Sequence, residues 1–208
     1  MSILFGDKKV FALEYALSSN SCLDDKGKNQ NWGILKFWIN NKDIGLYQYN
    51  NKSNYCECNL YDIVEWLCEK LEYIVGYDPF PLPVEANNLL EMIEITDKYE
   101  NSDDSELNLW YGAKSRWIFN HCWFSCRESS ILPCIYFRRI GEVIEISWNN
   151  KFWQGNGVMF FSEQGTYNIN CFEFKKIIKD FLNSVIDEIE KKNKKRLTQL
   201  RTQLNILE

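Results

Sequence analysis

Six residues carry the side chains best able to do chemistry: Trp117, His121, Arg138, Arg139, Glu145 and Trp148. Adjacent strand residues point to opposite faces, so one of the two arginines meets solvent and the other meets the layer beneath. An arginine held among tryptophans and near a glutamate is either a structural ion pair with cation–π support or a fork that recognises a carboxylate or phosphate. Structural use is the commoner of the two. Around these residues stand eight cysteines and a single histidine. Cys56-x-Cys58 and His121-Cys122-x-x-x-Cys126, with Cys134 following, hold enough soft ligands for a tetrahedral zinc. No Cys-x-x-Cys pair occurs, however, and His121 and Cys122 point to different sides of a helix. Small apolar core thiols are the reading preferred over metal ligands or disulfides, and no metal or cofactor is expected.

Catalytic patterns are sparse. With one histidine, any Cys/His or Ser/His mechanism must use His121. The chain lacks a Gly-x-Ser-x-Gly elbow, a His-Glu-x-x-His zinc helix, a Walker loop and a Gly-x-Gly-x-x-Gly turn. Asp and Glu are abundant, but nothing singles out a pair. The expectation is a binding protein and not an enzyme.

Those residues need elements to hold them. Strands are predicted over Val10 to Leu17 and Trp32 to Ile39, the latter turning at Asn40-Asn-Lys-Asp43 into a partner over Ile44 to Tyr49. Ser18 to Asn31 reads as a loop. Leu60, Ile63, Val64, Leu67, Leu71, Ile74 and Val75 recur at helical spacing behind an Asn59 cap. Gly76 and the segment Asp78-Pro-Phe-Pro-Leu-Pro83 end that helix. Further helices are predicted over Glu85 to Tyr99 and Glu106 to Cys126, the second carrying Trp110, Ala113, Trp117, His121 and Phe124 on one stripe. A hairpin spans Cys134 to Trp148, and a second pairs Gly157 to Phe161 with Thr166 to Ile169. A long helix starts near Cys171, and its seam narrows to Leu197, Leu200, Leu204 and Leu207, the look of a small coiled-coil contact through which the chain could self-associate. The fold class expected is α+β: antiparallel hairpins packed against several helices, with a long C-terminal helix. The proline segment divides the chain into an N-terminal part, 1–77, and a remainder, 84–208, which could also form one domain together.

Charge is unevenly placed. Net charge is −5, yet Asp62 to Glu106 holds thirteen acidic residues and two lysines. An acidic middle argues against direct binding to a nucleic-acid backbone, which needs a concentrated basic face. It suits a protein partner with a basic surface, met by Asp97, Glu100, Asp103, Asp104 and Glu106. No apolar run approaches the roughly 20 residues a membrane helix needs, and the start of the chain lacks the pattern of a secretory leader. A cytoplasmic protein is expected.

Trp117-Ile-Phe-Asn-His121, Leu132-Pro133, Phe137-Arg-Arg-Ile-Gly141 and Ile144-Glu-Ile-Ser-Trp148 together resemble a pattern in bacterial proteins of unassigned biochemical role. There a tryptophan-to-histidine helix precedes a Leu-Pro…Phe-Arg-Arg-x-Gly…Glu-x-Ser-Trp hairpin, a strand pair and a terminal helix. The resemblance covers Trp117 to Leu182. It implies a setting beside regulatory peptidases and in stress or phage-defence loci. Where the pattern has a small basic segment after the histidine, this chain has Cys122-Trp-Phe-Ser-Cys126. The tryptophan-rich N-terminal hairpins loosely resemble small acidic immunity and inhibitor proteins. The function expected is therefore a non-catalytic accessory or inhibitor protein of bacterial (antiviral) defence. The alternatives are a small-ligand or nucleotide sensor using Arg138 and Arg139, or a zinc-stabilised regulatory domain.

Overall fold

The computed structural model describes residues 2–18, 31–126, 130–193 and 196–207, without the side chains of residues 125 and 126. Cys22 and most of the predicted loop before Asn31 lie outside them. Strand β1 (Ile3–Asp7) pairs with β2 (Phe11–Leu17), which pairs with β3 (Trp32–Ile39), all antiparallel. In β3 the residues Gly33, Leu35, Phe37 and Ile39 are buried in strict alternation, the mark of a sheet with one face on the core. Asn40 and Asn41 both take positive φ, so the predicted Asn-rich turn is of the primed type that matches strand twist. The strand after it is short. β4 is only Lys42–Asp43, because the Asp43 carboxylate accepts from the Phe37 and Gly45 amides and turns the chain away.

The chain then builds a second sheet. β5 (Tyr47–Tyr49) and β6 (Lys52–Asn54) form a hairpin across Asn50 and Asn51, again at positive φ. β7 (Cys56–Asn59) returns to pair with β3. Helix α1 (Leu60–Val75) follows as predicted: Asn59 accepts from the Tyr61 amide, and the whole apolar stripe is buried. α2 (Leu89–Asp97) starts four residues later than the sequence suggested. Asn88 and Glu91 satisfy one another there, Asn88 accepting from the Glu91 amide and donating to its carboxylate, so the cap sets the start.

α3 (Asp104–His121) is capped by Asp103, which accepts from the Ser105 and Glu106 amides. It ends earlier than predicted, because Cys122 is extended and bridges to Tyr136. Phe124 thus sits on a following 3-10 turn, off the helical stripe.

β8 (Ile135–Ile140) and β9 (Val143–Asn149) form the predicted hairpin around Gly141, which takes a positive φ. The second predicted hairpin does not form. β10 (Met159–Phe160) pairs with β5, whereas β11 (Gln164–Asn170) pairs with β9. Asn150 enforces that split: its amide side chain accepts from the Cys134 N–H and donates to the Ser162 carbonyl.

α4 (Cys171–Asn193) buries the predicted stripe from Phe174 to Ile189. α5 (Thr198–Gln203) and a closing 3-10 turn fold back onto the molecule. Leu200, Leu204 and Leu207 are buried in the core, and Arg201 pairs with Asp187 and Glu190 of α4. The narrow leucine seam thus faces this chain's own interior. The fold is α+β, and among the described residues no helix is long and apolar enough to cross a membrane.

Candidate functional site

The register of β8 and β9 places Arg138 opposite Glu145, on the sheet face away from Ile144, Ile146 and Trp148. α2 covers that face. The Glu145 carboxylate, 1% exposed, accepts from the Leu89 amide at 2.7 Å and the Ser147 hydroxyl at 2.8 Å, and it pairs with the Arg138 guanidinium. Arg138 also reaches the Met92 sulfur. A carboxylate at the first amides of α2 is favourably placed against the helix dipole. The arrangement is a buried clasp that pins α2 to the sheet.

Arg139 faces the other way. It donates to the Val75 carbonyl at the end of α1 and to the Gly141 carbonyl, and lies 3.6 Å from Glu142. Trp148 donates to the Ser162 hydroxyl, and its ring lies against Gly165, where an added Cβ would come within 2.3 Å.

Trp117 and His121, one helical turn apart, stack at 3.8 Å between ring centroids. The His121 Nδ1 meets the Trp117 carbonyl at 2.8 Å, and Nε2 lies 3.6 Å from the Asp78 carboxylate. Trp117 donates to the Asp78 carbonyl and takes the Phe80 ring edge-on. This group fastens the proline segment to α3. Among the described residues no hydrogen bond, ion pair or ring contact joins His121 and Trp117 to either arginine, to Glu145 or to Trp148. The six residues divide among separate structural posts.

Burial pushes the His121 imidazole below its ordinary value near 6.5, against the opposing pull of the Trp117 carbonyl and Asp78. As pH falls, the unfolded chain therefore takes up this proton first. The stability that neutral His121 contributes is present above about pH 6.5 and is lost as pH falls through the folded value. The urea midpoint should drop between about pH 7 and about pH 5, and His121→Gln should flatten that slope. An unchanged slope in the variant would place the titration elsewhere.

The predicted acidic group falls at the corner of α2 and α3. Tyr99 stacks on Trp110 at 4.0 Å, and Tyr111 donates to the Asp97 and Tyr99 carbonyls. Asp97 pairs with Lys114, a lysine only 5% exposed. Asp103 is the α3 cap, and Glu106 accepts from the Asn101 side chain. Glu100 and Asp104 are exposed. Sequence reading missed the rest of this surface. A cleft of about 630 Å³ runs between α2 and the polar face of β8, β9 and β11, with Glu91, Glu94 and Asp97 on one wall and Tyr136, Lys151 and Thr166 on the other. The alternation Gln164, Thr166, Asn168 beside Glu145, Ser147, Asn149 was the signal that could have marked a polar sheet face.

A second cleft, about 560 Å³, carries Arg139, Lys175, Lys176 and Lys179 around the first turns of α4, with Phe172 on its rim, 79% exposed. The described thiols are core residues. Cys56 donates to the Gly45 carbonyl, and burial pushes Cys58 and Cys68 up to about 12, so both stay protonated at neutral pH. Cys122 and Cys134 lie 3.6 Å apart, sulfur to sulfur, and Cys134 meets the Tyr136 hydroxyl. Among the described residues no three His, Cys, Asp or Glu side chains gather as a metal site would require.

These placements define an α+β domain whose reactive residues hold its layers together and whose acids line the cleft beneath α2. Residues 30–205 match a family of unknown function, DUF5984, and the chain belongs to that family. The match extends well beyond the stretch whose motif had pointed to proteins of unassigned role. No curated protein and no solved structure matches the chain.

Proposed function

We propose that this chain is a non-catalytic accessory protein of inhibitor or immunity type, working in the cytoplasm of a bacterium as part of a defence or stress system. It acts by binding another protein that presents a basic surface. The observation that carries this reading is the gathering of Glu91, Glu94, Asp97, Glu100 and Asp104 at one exposed corner and along one cleft. Such a field steers a basic partner and fixes its orientation. Exposed rings elsewhere on the surface, among them Phe161 at 61%, supply anchor contacts. The motif's resemblance to defence-associated bacterial proteins supports the setting.

The test uses Glu94→Gln, Glu100→Gln and Asp104→Asn together. Asp97 and Asp103 stay, since one holds Lys114 and the other caps α3. The triple variant should bind the host partner about tenfold more weakly at low salt, and the difference should close toward 1 M salt, where screening acts within about 3 Å. Binding that ignores both charge and salt would overturn the reading.

The basic cleft favours one alternative, a sensor of an anionic small ligand. Four cations beside an exposed ring suit a phosphate attached to an aromatic group. Arg138, held by Glu145, takes no part. A nucleotide should then raise the melting temperature, and Lys175→Glu should abolish that rise.

A further inference from the structure

We propose that the free edge of β11 is a docking site for an extended segment of the partner protein, one with basic side chains at alternate positions. This rests on the partner-binding reading above and adds the place and manner of binding. The Asn150 N–H donates to the Glu163 carbonyl at 2.7 Å and the Cys171 N–H to the Glu142 carbonyl at 2.8 Å. In an antiparallel ladder, hydrogen-bonded pairs alternate with non-bonded ones. The register therefore turns the backbone groups of Gly165, Tyr167 and Ile169 toward β9 and those of Gln164, Thr166 and Asn168 outward. Among the described residues no backbone group pairs with that outward row.

Edge strands are normally guarded by charge, proline or a bulge. β11 has none of these: Gln164–Asn170 contains no charged residue and no proline, and its register with β9 is unbroken. Exposed Phe161 and Phe172 flank its two ends.

The cleft identifies the occupant. The side chains of Gln164 and Thr166 point to the polar sheet face, and both residues line the cleft beneath α2. An added strand puts every second side chain on that same face. There they meet the wall formed by Glu91, Glu94 and Asp97, with Lys151 the sole cation on the lining. Lysine or arginine at alternate positions satisfies that wall; acidic residues there are repelled.

The probe is a dye-labelled nonapeptide alternating lysine and valine, titrated onto the full chain by fluorescence anisotropy. Paired antiparallel with β11, with the lysines opposite Gln164, Thr166 and Asn168, the peptide makes its ladder bonds through the lysine amides. N-methylation of the lysine amides should weaken binding at least tenfold, and N-methylation of the valine amides should not. A glutamate–valine twin should fail to bind. Asn168→Pro removes an outward N–H that pairs with no backbone group among the described residues, which an edge strand tolerates. It should lose at least tenfold in peptide affinity while its melting temperature stays within a few degrees. Glu94→Lys should do the same through charge alone.

Equal binding of both methylated peptides, or full binding by Asn168→Pro, would overturn the proposal. So would a concentration-dependent dimer that Asn168→Pro returns to monomer, since the edge would then belong to a second copy. If Asn168→Pro retains the host partner that the triple acid variant loses, the edge assignment falls and the partner reading stands. If the peptide binds as described and the triple acid variant keeps its host partner, the partner reading falls and the edge assignment stands.

Discussion

Glu145→Ala is expected to destabilise the fold by about 3–5 kcal/mol, the usual cost of stripping one member from a buried ion pair. Three groups lose their acceptor at once: the Arg138 guanidinium, the Leu89 amide and the Ser147 hydroxyl. Arg138 is poorly placed to recover, because its side chain is largely buried and its Nε already lacks a partner among the described residues. The paired variant Arg138→Met with Glu145→Leu should lose less than the sum of the two single changes. Removing both charges ends their desolvation cost, and only the Leu89 donor is left without an acceptor, at about 1–3 kcal/mol, because the Ser147 hydroxyl can still donate to the Thr166 hydroxyl 3.1 Å away. Urea denaturation of all four proteins closes the cycle. Additive losses would mean the two groups do not interact. A loss under about 1 kcal/mol for Glu145→Ala would mean that the pair is solvated, as surface pairs are.

The same clasp marks how far the sequence could be read. α1 and α4 were legible in nearly full length because their apolar residues repeat at helical spacing, and Asn59 marked the start of α1; the Asn170 side chain, which accepts from the Phe172 amide at the start of α4, was not singled out. The Arg138–Glu145 pairing was implicit in the hairpin, since a turn at Gly141 sets the register. The role of the pair was not, because its other partners, Leu89 and Met92, lie some fifty residues away on α2. Likewise Trp117 and His121 are visibly one turn apart, whereas the Asp78 that meets them comes from a segment read as a helix stop and a divide between two parts of the chain. The false hairpin has a long-range cause. β10 lay near β11 in sequence, and local proximity suggested a hairpin; Phe160 instead packs against Tyr47, more than a hundred residues earlier. The cleft was invisible for the same reason, being formed where α2 crosses a strand near residue 166.

Long-range packing also decides how the chain should unfold. Phe137, fully buried, touches the rings of Phe37 and Trp66 from the N-terminal part and of Trp123 and Phe174 from the remainder. The core it belongs to is continuous from Phe11 to Leu207. Phe137→Ala should therefore cost about 3–5 kcal/mol, and the loss should fall on the whole molecule. Tryptophan fluorescence and far-ultraviolet circular dichroism should shift to the same lower midpoint, because the two parts share one apolar interior. A fragment of residues 1–77 loses α4 and α5, which pack against α1, exposes part of a helix face that buries Leu67, Leu71 and Ile74 in the full chain, and is expected to remain unfolded. Two separated transitions in the full chain, or a cooperatively melting 1–77 fragment, would show that the N-terminal sheet and α1 carry a sufficient core of their own. In that case Phe137 would join two domains, and its truncation would shift only one of the two midpoints.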